Sequence, residues 1–132
     1  MDRLFLDANV LFSAAYRADA GVARLWDRED AELLSSDYAI EEARRNLSES
    51  EQVARLAELL QQLRIVPSVV PHADTRREIE LPEKDWPILG AAIAAGATHL
   101  ITGDKKDFGP FFESEILGVR VLPPSSYLNP KR

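Results

Sequence analysis

The sequence predicts a single α/β domain over residues 1–132, built as a three-layer α/β/α sandwich around a central, mainly parallel sheet of five strands. Three observations lead there. Five short apolar runs suit buried strands, helical stripes of period near 3.6 separate them, and capping or turn residues mark each change. The chain has 132 residues, enough for one core and too few for two, and 45% hydrophobic with 29% charged residues is ordinary globular usage.

Arg3-Leu4-Phe5-Leu6 reads as the first strand, and Asp7-Ala8-Asn9 turns the chain into a helix carrying Val10, Leu11, Ala14 and Ala15. Asp19 is placed to cap a second helix bearing Val22, Leu25 and Trp26. Ala31-Glu32-Leu33-Leu34-Ser35 is the second strand, and Ser36 caps the helix that holds Glu41 and Glu42. Ser48-Glu49-Ser50-Glu51 matches a capping box ahead of the stripe Val53, Leu56, Leu60 and Leu63. Arg64-Ile65-Val66 begins a third strand, an edge strand because Pro67 and Pro71 cannot donate to a central ladder. Residues 72–84 show no clear pattern. Asp85 then opens a helix with Pro87 in its first turn, Ile88, Leu89, Ala92 and Ile93 on its apolar side, and Gly96 near its end. His99-Leu100-Ile101-Thr102 is the fourth strand, and Gly103-Asp104-Lys105-Lys106-Asp107 a turn into a short helix. Val119-Arg120-Val121-Leu122 is the fifth strand, stopped by Pro123-Pro124, and Lys131-Arg132 reads as solvated surface.

There is no cysteine, which excludes disulfides and thiolate metal sites. No apolar run approaches the roughly 18 residues of a membrane span, and no signal peptide is recognisable at Met1, so a cytoplasmic protein is expected. The net charge of −6 argues against a nucleic-acid partner unless several acids share a bound cation, which would reverse the local field.

In a doubly wound sheet, ligands bind beyond the carboxyl ends of the strands where the strand order reverses. Asp7 follows strand one and Asp104 follows strand four, so adjacency of those strands would bring both carboxylates into one crevice, with Glu42 and Asp85 on helices able to line it. Singly, Asp7, Asp85 and Asp104 stand where caps or turns are expected, and Glu42 reads as a solvated helix residue. Together they conflict: two charges about 5 Å apart repel by roughly 3 kcal/mol at an effective dielectric of 20. A divalent cation relieves that repulsion, and oxygen-only ligation favours Mg²⁺ or Mn²⁺ over zinc. His72 and His99 read as structural, and no Gly-x-Ser-x-Gly, P-loop or Gly-x-Gly-x-x-Gly string occurs.

Taken together, Leu6-Asp7-Ala8-Asn9-Val10-Leu11, the segment from Ser36 to Glu42, the segment from Asp85 through Ala95, and Ile101-Thr102-Gly103-Asp104 resemble the PIN-domain ribonucleases, in particular the compact VapC-like toxins of bacterial toxin-antitoxin pairs. The resemblance implies an acidic metal site of Asp7, Glu42, Asp85 and Asp104, with Asp107 as an additional acid and Asn9 and Thr102 as supporting polar residues. Glu41 competes with Glu42 for the second position, and the spacing after Ser36 and Ile40 favours Glu42. It further implies Mg²⁺- or Mn²⁺-dependent endoribonuclease activity, a small antitoxin partner and often a homodimer. Arg44, Arg45, Lys105 and Lys106 flank the acids as phosphate contacts or as plain surface charge. Two other readings are a PIN-like module that binds RNA or protein without cleavage, and a haloacid-dehalogenase-type phosphatase, suggested by Phe5-Leu6-Asp7-Ala8-Asn9. The second is weakened by Asn9, which stands where that chemistry needs a proton-donating acid.

Overall fold

The first strand has a parallel neighbour on each side, pairing through Asp2–Phe5 on one and Leu4–Leu6 on the other, in the computed structural model, which describes residues 1–130; Lys131 and Arg132 lie outside the described residues. The strands are β1 (Asp2–Leu6), β2 (Ala31–Ser36), β3 (Arg64–Val66), β4 (His99–Ile101), β5 (Ser114–Ile116) and β6 (Val119–Leu122). They form one sheet in the order β3-β2-β1-β4-β6-β5, parallel except for β5. Leu4, Phe5 and Leu6 are wholly buried, as a central parallel strand covered on both faces requires. β3 lies at the edge ahead of Pro67, where a missing N–H does no harm.

The helices are α1 (Ala8–Tyr16), α2 (Asp37–Arg45), α3 (Ser50–Leu60), α4 (Ala73–Arg76), α5 (Trp86–Ala94) and α6 (Pro124–Leu128). α1 packs on α2 and α3, whereas α5 packs on β2, β4 and α2. Val10, Leu11, Ala14 and Ala15 form the buried side of α1 as their spacing demands. Ser36 caps α2, its hydroxyl accepting from the Ala39 N–H at 3.1 Å. Gly96 follows α5 with φ +70°, a conformation that a side chain would strain.

Several local expectations are corrected. The sheet has six strands because Leu117 and Gly118, both with positive φ, make a two-residue hairpin that adds β5 antiparallel to β6. Asp19 caps nothing, and Gly21–Asp27 is a 3₁₀ helix that buries Leu25. The capping box before α3 sits one residue later than expected, between Glu49 and Gln52. Pro123 ends β6, but Pro124 starts α6, since a first helical residue has no need of its N–H. The unreadable stretch 72–84 holds α4 and the beginning of a 3₁₀ turn, Glu83–Asp85, that runs directly into α5.

Candidate active site

The strand order reverses beside β1: β2 and β3 follow on one side, β4 and β6 on the other. Leu6 pairs with Ile101, so the chain leaves β1 and β4 side by side, and the Asp7 N–H donates to the Ile101 carbonyl at 3.0 Å. Asp7 is 5% exposed. Its Oδ1 accepts from the Ala8 N–H at 2.7 Å, capping α1, and its Oδ2 accepts from the Thr102 hydroxyl at 2.8 Å and from Asn9 Nδ2 at 3.2 Å. Thr102 Oγ1 in turn accepts from the Asp104 N–H at 3.1 Å, and Asn9 Oδ1 from the Gly103 N–H at 2.8 Å. Asn9 and Thr102 thus tie the two strand ends together around Asp7.

Beyond that knot the chain turns on Asp104, whose Oδ1 accepts from the N–H groups of Lys106 at 3.1 Å and Asp107 at 3.0 Å. The turn carries Asp107 back toward Asp85. One oxygen from each of Asp85, Asp104 and Asp107 lies within 4.8 Å of the others. Asp85 is 6% exposed, makes no capping bond to α5, and leaves its buried Oδ2 without a hydrogen-bond partner. Lys84 Nζ stands 3.4 Å from Asp107 Oδ2.

The electrostatics follow from this crowding. Burial pushes the Asp7 carboxyl above the ordinary carboxylate value against the pull of Thr102 and the Ala8 N–H, and Asp104 adds to the rise. Burial first, and then the adjacent Asp107, push Asp85 up to about 7. Asp107 moves down, chiefly through its contact with Asp85 and then through Lys84.

A family model described as PIN domain matches residues 3–106. The chain belongs to the PIN-domain family. Among solved structures, DNA-bound VapBC from Salmonella typhimurium resembles this PIN domain with TM-score 0.67 and 17% identity, over 94% of this chain and 99% of that one. FitAcB from Neisseria gonorrhoeae does so with TM-score 0.62 and 21% identity, over 92% and 97%. VapC20 from Mycobacterium tuberculosis, a Sarcin-Ricin loop cleaving toxin, reaches TM-score 0.53 and 18% identity over 76% and 91%. At these identities the likeness is one of fold. Among curated proteins, none matches the chain by sequence.

In this PIN domain the acids open on a cleft of about 390 Å³ lined by Asp7, Asn9, Glu42, Lys84, Asp85 and Asp104, among others. Glu42, half-buried on α2, faces that cleft, while Glu41 is exposed, does not line it, and pairs with Arg44 at 3.0 Å. Arg45 pairs with Glu42 at 3.3 Å and points to solvent. Lys105 and Lys106 are exposed in the turn after Asp104 and do not line the cleft. Asp7 and Glu42 lie outside the tight three-acid group, and both Asp7 oxygens already accept hydrogen bonds. Sequence reasoning missed Lys84, Tyr38 and Asn46, which also line the cleft. Adjacency to Asp85 was the available signal for Lys84; Tyr38 on α2 and Asn46 at its C-cap lie four residues either side of Glu42 and carry no chemical signal of their own.

The residues present fit a hard divalent cation. Every donor is an oxygen, three of them converge, and the buried Asp85 Oδ2 has no hydrogen-bond partner. Asp85, Asp104 and Asp107 would hold the ion.

Proposed function

We propose that this PIN domain is a Mg²⁺- or Mn²⁺-dependent endoribonuclease of the cytoplasm, the toxin component of a bacterial toxin-antitoxin pair, restrained by a small antitoxin protein and working as a monomer or a homodimer. The observation that carries this reading is the convergence of Asp85, Asp104 and Asp107 around an unpartnered buried oxygen, at the strand ends where Asp7 is fixed. A bound divalent cation supplies Lewis-acid chemistry, lowering the pKa of an attacking water and stabilising charge on phosphate oxygens. The chain's own groups do the rest. Asn9 and Thr102 hold the Asp7 carboxylate in one orientation, and Glu42 faces the same space from α2. Lys105 and Lys106, exposed in the turn after Asp104, are the proposed contacts for the RNA backbone.

The neighbours support the biological assignment. VapC20 is a Sarcin-Ricin loop cleaving toxin, and the antitoxin partner is carried over from the resemblance of this chain to VapC-like toxins. Among the described residues, no helix is long and apolar enough to cross a membrane.

The test is incubation of the purified chain with mixed transfer, messenger and ribosomal RNA, with and without Mn²⁺, followed by mapping of the new ends. Cleavage is expected only with the metal. Asp7→Asn keeps a good helix cap and Asp104→Asn keeps a side-chain acceptor in its turn, so both should fold, and each should lose at least about 100-fold in rate because the carboxylate charge is gone. Undiminished cleavage by either variant would exclude the proposed site.

A further inference from the structure

Lys84 is the one lysine among the described residues that reaches the acids in space. It lines the cleft with Asp7, Glu42, Asp85 and Asp104, and its Nζ lies 3.4 Å from Asp107 Oδ2. The Tyr38 hydroxyl donates to the Lys84 carbonyl at 3.0 Å, which ties the lysine backbone to α2. The Lys84 side chain is 69% exposed and that of Asp107 only 11%, so the ammonium approaches from the solvent side, as an incoming cation would. Asp107 is also one of the three converging acids, and the buried, unpartnered Oδ2 of Asp85 is an independent sign that this group lacks a ligand.

We propose that Lys84 is a tethered counter-ion: it holds Asp107 while the site is free of metal, and a divalent cation binds only by displacing it, so that the ion pair and the cation exclude each other. The inference rests on the metal reading of the cleft given above. The physical reason is that an ammonium and a dication cannot share one carboxylate at close range without strong repulsion. Lys84 therefore lowers the affinity of the site for its cation. A lone carboxylate triad would bind metal more tightly.

The test is Mn²⁺ binding to the full chain without RNA, read from the electron paramagnetic resonance signal of free Mn²⁺ at low salt. Lys84→Met should bind Mn²⁺ about 3- to 10-fold more tightly than wild type, the scale of an exposed ion pair plus relief of repulsion. Lys84→Arg should keep the wild-type affinity, and the Lys84→Met gain should shrink in about 0.5 M KCl, where exposed charges are screened. In an Asp107→Asn background the same Lys84→Met change should alter affinity by less than about twofold, because the pair it breaks is already absent. Equal affinity of Lys84→Met and wild type would overturn the proposal. So would a full gain that persists in the Asp107→Asn background, since Lys84 would then be only a distant charge. If the wild type binds no Mn²⁺, the metal reading falls together with the proposal, and the two failures are thereby told apart.

Discussion

Asp85 ends a 3₁₀ turn and its side chain makes no capping bond to the helix it precedes, so the capping role that its position suggests is not the role it plays. Its carboxyl is pushed up to about 7, first by burial and then by Asp107. A carboxyl whose folded-state value is raised costs stability when it ionises. That cost is absent below the ordinary carboxyl value of 3.8, grows as pH rises and is complete above about 7. Metal-free wild type should therefore be less stable relative to Asp85→Asn at pH 8 than at pH 4. The variant should gain about 1–2 kcal/mol at the higher pH, less than the whole shift implies because solvent and Asp107 share the burden, and almost nothing at the lower. Urea unfolding in EDTA at the two pH values measures the difference, and a gain that is the same at both would remove the buried charge as its cause. The same substitution removes a proposed cation ligand, so millimolar Mn²⁺ should raise the melting temperature of wild type and leave that of Asp85→Asn nearly unmoved. Asp85, like Asp7 and Asp104, was visible in the sequence because each acid stands next to a strand end or a helix start. What the sequence hid was Lys84, because whether a side chain turns toward a cluster depends on a loop conformation that no periodicity reports.

Segment 67–71 shows how elements constrain one another without any sequence pattern. Ser68 donates both its N–H, at 3.1 Å, and its hydroxyl, at 2.6 Å, to Asp37 Oδ1, which fixes the segment against the start of α2. Its other side lies over α5 at Gly90, where an added Cβ would run into the Val69 carbonyl oxygen and come within 2.8 Å of Pro71 Cδ. Alanine in a helix interior is favoured over glycine by about 1 kcal/mol, so Gly90→Ala sets propensity against collision. Collision should win, because the obstacle is backbone pinned at Asp37, and net destabilisation of about 1–3 kcal/mol is expected. Thermal unfolding decides it: a Gly90→Ala protein more stable than wild type would mean that the segment yields freely. Elements with long, unambiguous periodicity were legible in advance, including β1, α1, α2, α5 and the edge position of β3. Those that escaped are short or depend on unusual turn residues. β5 has three residues and is joined to β6 by Leu117-Gly118, where a leucine with φ 51° replaces the asparagine or aspartate that would have announced the hairpin. The cap of α3 moved by one residue because Ser48 with Glu51 and Glu49 with Gln52 are overlapping candidate boxes, and Glu49 with Gln52 is the one that forms.

For the whole molecule, a net charge of −6 sets a limit on how the proposed RNA substrate would be held. Long-range attraction to a polyanion is excluded, so recognition must come from a small number of local contacts at the cation and its rim. Among the described residues, most arginines are committed: Arg17, Arg28, Arg44, Arg45, Arg64, Arg76, Arg77 and Arg120 pair with carboxylates, and Arg3, Arg24 and Arg55 donate to backbone carbonyls. Lys105 and Lys106 are left near the cleft, with Lys84 as a third once its pair with Asp107 opens. Each phosphate neutralised on single-stranded RNA contributes about −0.7 to the slope of log affinity against log salt, so two or three contacts give a slope of about −1.4 to −2.1. Titrating the Asp7→Asn protein, which binds without cutting, with a short single-stranded RNA across a range of KCl at constant Mg²⁺ measures that slope. Lys105→Gln with Lys106→Gln should flatten it by about 1.4, leaving affinity dominated by the cation. A slope steeper than about −4 in the Asp7→Asn protein would require about six neutralised phosphates, more than the unpaired cations around this cleft supply, and would place the RNA on a different face of the molecule.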